Sequence, residues 1–267
     1  MKKLNKKWFA MLIPLLALIT LSACATKKTS DSTSSLHLTQ AKTLTIGLEG
    51  DYTPYSFRSK NGHLTGFEVE LGRRLAKKLG LKPTFVLTKW DGLIAGLGTN
   101  KYDVVLNNIA KTPQRAKNFQ TTVPYIYSHS ILITRDTEKK MTSLKAIKGK
   151  KFAEGTGTDN ELIAKKFGAT VMPSPSFTTT LDLIKQGRAD GAINSREAWL
   201  AYKQQNSTKG LKMKDVSDEQ APGEIVGLLN RRSNTLKGKL NRALKQLRQE
   251  GELKRLSVKY FHSDITK

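Results

Sequence analysis

Gly155-Thr156-Gly157-Thr158 is the segment whose residue types and spacing point most directly to chemistry. It falls where an apolar strand, Lys151-Phe152-Ala153, gives way to a helical stretch that runs to residue 167. Backbone NH groups exposed at a helix N-terminus bind anions. No Lys-Ser/Thr follows the turn and no Gly-x-Gly-x-x-Gly is present, so this is not a nucleotide loop. Metals and covalent catalysis find little to work with. His37, His63, His129 and His262 lack ligand spacing. A single cysteine, Cys24, excludes a disulfide framework and a Cys-based zinc cluster. There is no Ser-His-Asp order, and no carboxylate pair is placed together by the sequence; Glu49 and Glu197 would meet only across a cleft. No cofactor is expected.

The elements that must position such a turn follow from periodicity. Leu44, Ile46 and Leu48 alternate with polar residues and predict a strand. Residues 49–61 are turn-like. Thr65-Gly66-Phe67-Glu68 matches a capping box, and Phe67, Leu71, Leu75 and Leu79 then run at helical spacing to a stop at Gly80. A strand at 84–88, a helix at 90–97 and an apolar strand at 103–106 complete an α/β opening with a parallel sheet. A strand at 130–134 precedes a second α/β series: helix 178–186, strand 190–193, helix 197–205 and strand 223–229. Leu236, Leu240, Leu244 and Leu247 mark a C-terminal helix ending near Gly251. Two α/β lobes joined by two extended crossings is the simplest architecture.

The composition suits a globular body: 267 residues, 38% apolar and 25% charged, with a formal charge of +24. Lys2, Lys3, Lys6 and Lys7 precede an apolar run of about 14 residues, too short to span a bilayer at ~20 residues. This reads as an export signal, and Leu21-Ser22-Ala23-Cys24 resembles the lipobox of bacterial lipoproteins. That resemblance implies that Cys24 becomes the first residue and is diacylated. Without residues 1–23 the charge is still +20. Residues 25–42 are rich in Ser, Thr and Lys and read as a flexible tether. The lysine runs are spread over the body, a pattern suited to anionic cell-wall polymers or host matrix. Nucleic acid is not an expected partner, because the protein is exported and its aromatics lie apart from the lysine runs.

Four segments, taken jointly, resemble the bacterial extracellular solute-binding proteins of the polar amino-acid type, the receptors of ABC importers. Within that family the cystine/cysteine binders are the most similar subgroup. The segments are Gly47-Leu48-Glu49-Gly50-Asp51-Tyr52-Thr53-Pro54-Tyr55-Ser56-Phe57, then Leu64-Thr65-Gly66-Phe67-Glu68-Val69-Glu70, then Lys89-Trp90-Asp91-Gly92-Leu93-Ile94-Ala95-Gly96-Leu97, and Thr112-Pro113-Gln114-Arg115 with Thr122-Val123-Pro124-Tyr125. The likeness spans residues 44–261. It implies a periplasmic-binding-protein-like type II fold, with a ligand cleft between the lobes and a two-segment hinge. The expected divisions are a signal at 1–23, a tether at 24–42, lobe 1 at 43–132, lobe 2 at 133–227 and a return to lobe 1 at 228–267.

The resemblance also implies roles. Arg115 matches the arginine that pairs with a ligand α-carboxylate, which a guanidinium fork grips bidentately. Tyr52 and Trp90 match aromatic walls, with Phe57 as their support. Glu49 matches an acid that accepts from the ligand ammonium. Asn107, Asn108 and Ala110 match the segment lining the site before the arginine; relatives carry Thr or Ser where Ala110 stands, so only its backbone NH is left to serve. The anion at Gly155, Thr156, Gly157 and Thr158 becomes the α-carboxylate. Asn194-Ser195 departs most: relatives that bind α-amino acids commonly have Asp at the position of Ser195, holding the α-ammonium. A buried ammonium needs a counter-charge, so Glu49 or Glu197 compensates, or the ligand is not an ordinary α-amino acid.

The function implied is reversible capture of an amino acid, L-cystine first. The ligand then passes to a membrane permease and ATPase with no covalent chemistry. The expected form is a monomer, lipid-anchored at the outer face of a Gram-positive cytoplasmic membrane. A basic adhesin, or an enzyme on the same fold, remains open as an alternative.

Overall fold

The computed structural model describes residues 36–267. The expected signal at 1–23, Cys24 and most of the tether lie outside the described residues. Where the description begins, the chain is already folded. Leu36 is 1% exposed and sits in the first core. Asp103 clamps the following residues: one carboxylate oxygen accepts from Thr39 N at 2.6 Å and Thr39 Oγ1 at 2.8 Å, and the other from Thr45 N at 2.7 Å. The expected tether therefore ends before Leu36, not at 42; its polar composition hid one apolar anchor and one long-range acid.

Strand β1 (Thr43–Leu48) is buried along all six residues, rather than on alternate ones, because it runs in the middle of a sheet. A two-residue hairpin follows, β2 (Phe57–Arg58) and β3 (Leu64–Thr65). Helix α1 (Phe67–Leu79) buries Phe67, Leu71 and Leu75 and stops at Gly80 in the left-handed region. The expected capping box does not form. The N-cap is Gly66, without a side-chain cap, at φ 128°. A Cβ at Gly66 would lie 2.3 Å from the Tyr55 carbonyl oxygen, so only glycine permits this approach. Glu68, the acid of that box, turns into the core instead.

The chain continues through β4 (Lys82–Leu87), α2 (Trp90–Gly98), β5 (Val104–Val105), α3 (Pro113–Asn118) and β6 (Gln120–Thr121). It leaves the first lobe by β7 (Ile126–Ser128). The second lobe contains β8 (Ser130–Arg135), β9 (Lys151–Glu154), α4 (Asp159–Lys166), β10 (Thr170–Pro173), α5 (Phe177–Lys185), β11 (Gly191–Ser195), α6 (Arg196–Gln205) and β12 (Leu211–Asp215). The chain returns by β13 (Gly223–Ile225) to β14 (Leu228–Leu229), α7 (Asn234–Gln249) and α8 (Glu252–Phe261).

The two five-stranded sheets have the orders β4-β1-β5-β14-β6 and β10-β9-β11-β8-β12. β1 is parallel to β4 and β5, and β9 is parallel to β10 and β11. The two crossings pair with each other antiparallel, Ser128 opposite Gly223 and Ile126 opposite Ile225. All of β8 belongs to the second sheet, so the expected boundary at 132/133 falls inside a strand. The expected strand at 223–229 is two. It breaks where Gly227 N donates to Thr122 Oγ1 at 2.8 Å and the chain changes sheets.

Both sheets are mixed, with β14 antiparallel to β5 and β6 and with β8 antiparallel to β11 and β12, and each is covered on both faces. Leu93, Leu97 and Tyr102 pack one face of the first sheet, and α1, α7 and α8 cover the other. Helix α8 had no counterpart in the periodicity reading. Its Phe261 ring lies 5.2 Å from Tyr55 and 5.3 Å from Phe67. Among the described residues no helix is long and apolar enough to cross a membrane.

Candidate functional site

In open α/β sheets, ligands bind beyond the carboxyl ends of the strands. Here those ends face each other. Glu49 follows β1, Asn107 and Asn108 follow β5, Glu154 and Gly155 end β9, and Asn194 and Ser195 end β11. Between them lies a cavity of 420 Å³.

From the first lobe, the expected site residues Glu49, Tyr52, Trp90, Asn107 and Asn108 line this cavity. Glu49 and Asn107 hold each other reciprocally: Glu49 N donates to Asn107 Oδ1 at 2.8 Å and Asn107 Nδ2 to Glu49 Oε2 at 2.6 Å. Burial lifts the Glu49 carboxyl to about 7, against the lowering effect of the Asn107 bond. Asn108 adopts a left-handed backbone at φ 49°, which Asn tolerates. Its Nδ2 donates to Tyr52 Oη at 3.3 Å.

Phe57 is not at the cavity. Tyr52 and Ser56 close a tight loop by mutual backbone bonds of 2.7 and 2.9 Å. That loop sends Phe57 into the β2–β3 hairpin and turns Tyr55 inward. Tyr55, fully buried and 4.8 Å from the Tyr52 ring, takes the supporting place expected of Phe57.

Arg115 is 7% exposed and stands on α3, whose N-cap Thr112 accepts from Arg115 N at 3.2 Å. Pro113 at the first helical position fixes the start of this short helix. The guanidinium donates from Nη1 to Ala110 O at 2.6 Å and from Nη2 to Gly157 O at 2.8 Å, with Cζ 5.6 Å from the Trp90 ring centre. Ala110 is buried beneath it and borders a second, 390 Å³ cavity behind the hinge rather than the main one.

The second lobe differs more from expectation. Two of the four NH groups in the turn at 155–158 are engaged within the turn and its helix. Gly157 N donates to Glu161 Oε2 at 2.6 Å, and Thr158 N to Gly155 O at 3.2 Å. Thr158 caps α4, accepting from Glu161 N at 3.1 Å. Burial raises the Asp159 carboxyl, and the nearby backbone NH groups of Asp159 and Asn160 pull it back down. The Glu161 carboxylate thus takes one of the NH groups at this helix end. What the turn offers the first lobe is carbonyl oxygen: Trp90 Nε1 donates to Thr156 O at 2.7 Å, and Arg115 reaches Gly157 O. With Tyr55 Oη 3.3 Å from Ser195 Oγ, three polar contacts join the lobes.

Ser195 lines the cavity but has a structural duty, capping α6 by accepting from Ala198 N at 3.1 Å. Its own N donates to Asn194 Oδ1 at 2.8 Å. Glu197, one of the two acids expected to compensate for Ser195, does not line the cavity. It is buried behind it, accepting from Ser128 Oγ at 3.3 Å. Residues the sequence reading missed are Glu154, Asp159, Phe177 and Tyr202, all on the cavity wall. Phe177 and Tyr202 form a T-shaped pair at 5.7 Å, so the second lobe has an aromatic wall of its own. Glu154 is engaged by Ile193 N at 2.7 Å.

Although the chain is strongly basic, the carboxyl-bearing residues lining the cavity are four, Glu49, Asp51, Glu154 and Asp159. Among the described residues no lysine or arginine lines it; Arg115 lies next to it, against Trp90 and Gly157. Among the described residues no three metal-binding side chains converge.

The sequence profile of the bacterial extracellular solute-binding proteins, family 3, matches residues 44–263. A probable amino-acid ABC transporter-binding protein of Haemophilus influenzae is 38% identical over 227 residues, 85% of this chain and 88% of the relative. The L-cystine-binding protein TcyJ of Escherichia coli is 34% identical, over 84% and 85% of the two chains. The L-cystine solute receptor of Neisseria gonorrhoeae, in an unliganded open conformation, is 33% identical and superposes with a TM-score of 0.58 over 84% of this chain and 95% of that one.

Proposed function

Because this chain belongs to the bacterial extracellular solute-binding proteins, family 3, and is related to amino-acid ABC transporter-binding proteins, we propose that it captures L-cystine and delivers it to a membrane permease and ATPase. The observation that carries the ligand assignment is the character of the walls. Tyr52 and Trp90 from one lobe and Phe177 and Tyr202 from the other line the same cavity. Aromatic faces on both sides suit a sulfur-bearing chain, since thioether and disulfide sulfur packs well against rings. Arg115 at the edge suits a carboxylate, and the acids suit ammonium groups. Two relatives that bind L-cystine, at 34% and 33% identity, support the same choice.

Titration calorimetry of the purified protein against L-cystine, L-cysteine, L-arginine and L-glutamine tests this. Cystine should bind most tightly. Preference for arginine would mean that the acidic lining, not the aromatic walls, selects the ligand. Trp90→Ala should weaken cystine binding by about 1–2 kcal/mol through lost stacking area. It also removes the Nε1 contact to Thr156 O, so an unchanged affinity would place the wall elsewhere.

Export and lipid anchoring through Cys24 belong to the same reading, as does a monomer at the outer face of a Gram-positive membrane. Surface charge gives a second hold. Lys77, Lys78, Lys139, Lys140, Lys165 and Lys166 are all exposed, and the basic residues lie outside the cavity. They suit anionic cell-wall polymers. A Cys24→Ala protein should stay with whole cells at low salt and elute at about 1 M, where screening acts within about 3 Å. Immediate loss at low salt would leave the lipid as the sole anchor.

A further inference from the structure

An α-amino acid carries its ammonium one carbon from its carboxylate. A site for both must hold a positive and a negative group close together in one corner. Arg115 supplies the positive group. Of the acids on the cavity wall, Glu154 is 2% exposed and bound to Ile193 N, Glu49 is locked to Asn107 on the first lobe, and Asp51 is exposed at the rim. Asp159 differs. Its carboxylate is near enough to Arg115 for each charge to favour the other's ionised form. The guanidinium nevertheless spends its hydrogen bonds on Ala110 O and Gly157 O. Asp159 borders both the main cavity and the one behind the hinge, and Ser128 and Ser195 border both with it. Gly223 of the hinge strand runs beside the carboxylate, its Cβ position 3.8 Å from Asp159 Oδ2, an ordinary contact distance.

We infer that Asp159 is the counter-charge for the ligand α-ammonium, set beside Arg115 so that the pair reads the zwitterionic head of an amino acid. The inference rests on the amino-acid reading above and names the residue that gives it stereochemical selectivity. Burial raises the Asp159 carboxyl above its usual range, largely through desolvation; an ammonium arriving beside it reverses that shift. Ser195 shares the same space, so an acid introduced there reaches the same ammonium.

The test is calorimetry with L-cystine and with 3,3′-dithiodipropionate, the same disulfide without amino groups. Measurements use the unaltered protein, Asp159→Asn, and Asp159→Asn combined with Ser195→Asp. The unaltered protein should prefer L-cystine by about 100-fold or more, as a buried charge pair requires. Asp159→Asn should lose that preference, and the added Ser195→Asp should restore at least about a tenth of it. Binding of L-cystine within about threefold in Asp159→Asn overturns this inference and leaves the amino-acid reading standing. Equal weakening toward both compounds, with no restoration, assigns Asp159 a structural role only and overturns it as well. If Asp159→Asn fails to fold, the unaltered protein decides alone, because equal affinity for the two compounds overturns the inference. No binding of any amino acid by the unaltered protein overturns the reading and this inference together.

Discussion

Arg115→Ala is expected to weaken amino-acid binding by about 2–4 kcal/mol, or roughly 30-fold to 1,000-fold, with only a small loss of stability. The guanidinium has five donors. Nη1 and Nη2 each have one bond to a carbonyl, of Ala110 and Gly157. Three donors remain for a ligand carboxylate. The same side chain would therefore hold the ligand as well as joining the lobes, and alanine would remove both functions. Arg115→Lys should recover little. An ammonium cannot span two carbonyls and still grip a carboxylate bidentately. Calorimetry of the two variants, with melting curves to confirm folding, reads this out. An affinity for either variant within about threefold of the unaltered protein would remove Arg115 from the site.

The second large effect concerns stability and pH. Glu68 is 0% exposed, yet it is an acid. One oxygen accepts from Asn108 N at 2.7 Å and from Tyr125 Oη; the other has no partner. Burial raises it from 4.5 to about 7 against those bonds. A raised carboxyl means that the folded state holds its proton more tightly than the unfolded chain. Stability is therefore greatest below the unfolded value of 4.5 and falls as pH rises from there to about 7. The shift corresponds to about 3 kcal/mol. Glu49, also near 7 through burial, acts in the same window, and its charge adds to the rise at Glu68.

Glu70 behaves oppositely. Burial pushes it up, but hydrogen bonds from Lys259, Tyr260 and Arg74 outweigh that and hold it at about 2. Its contribution is lost between 4.5 and 2. Melting temperature should rise from pH 8 to about 5 and fall again below 4.5. Glu68→Gln keeps an acceptor for Asn108 and Tyr125 without a charge. It should be more stable than the unaltered protein at pH 8 by about 2–3 kcal/mol and equal to it at pH 5. A parallel pH profile for the two proteins would show that Glu68 does not titrate in this window.

The residues that misled the sequence reading share a cause. Helix α1 was legible because Phe67, Leu71 and Leu75 obey a local period. Its cap was not, because Glu68 answers to Tyr125 and Asn108, far away in sequence. Leu36 looked like tether because it lies in a Ser/Thr/Lys-rich stretch with no helical or strand period; its partners come from the folded lobe. Phe57 and Tyr55 sit two residues apart, and only the closure of the Tyr52–Ser56 loop decides which one turns inward. The turn at 155–158 could have been read better. Thr158 and Glu161 have capping-box spacing, which already says that the NH groups of that helix end are spoken for. Five cleft residues of the first lobe, Glu49, Tyr52, Trp90, Asn107 and Asn108, were found from compact motifs. Asp159, Phe177 and Tyr202 were not, because each sits in an otherwise ordinary helical stretch and gains its meaning only from what lies across the gap.

The bonds between the lobes are chemically lopsided. Trp90 and Arg115 give side-chain donors, whereas Thr156 and Gly157 answer with main-chain oxygens. A carbonyl survives any substitution that keeps the backbone path. Thr156 is exposed, so its side chain is free to drift while the latch persists. Gly157, at φ 74°, is constrained by its backbone angle and not by crowding. Mutational tolerance should therefore be unequal across the gap: permissive at 156, limited to residues that accept a left-handed backbone at 157, and intolerant at 90 and 115. A saturation library scored for ligand capture would display that asymmetry as two restrictive positions on one lobe facing a forgiving turn on the other.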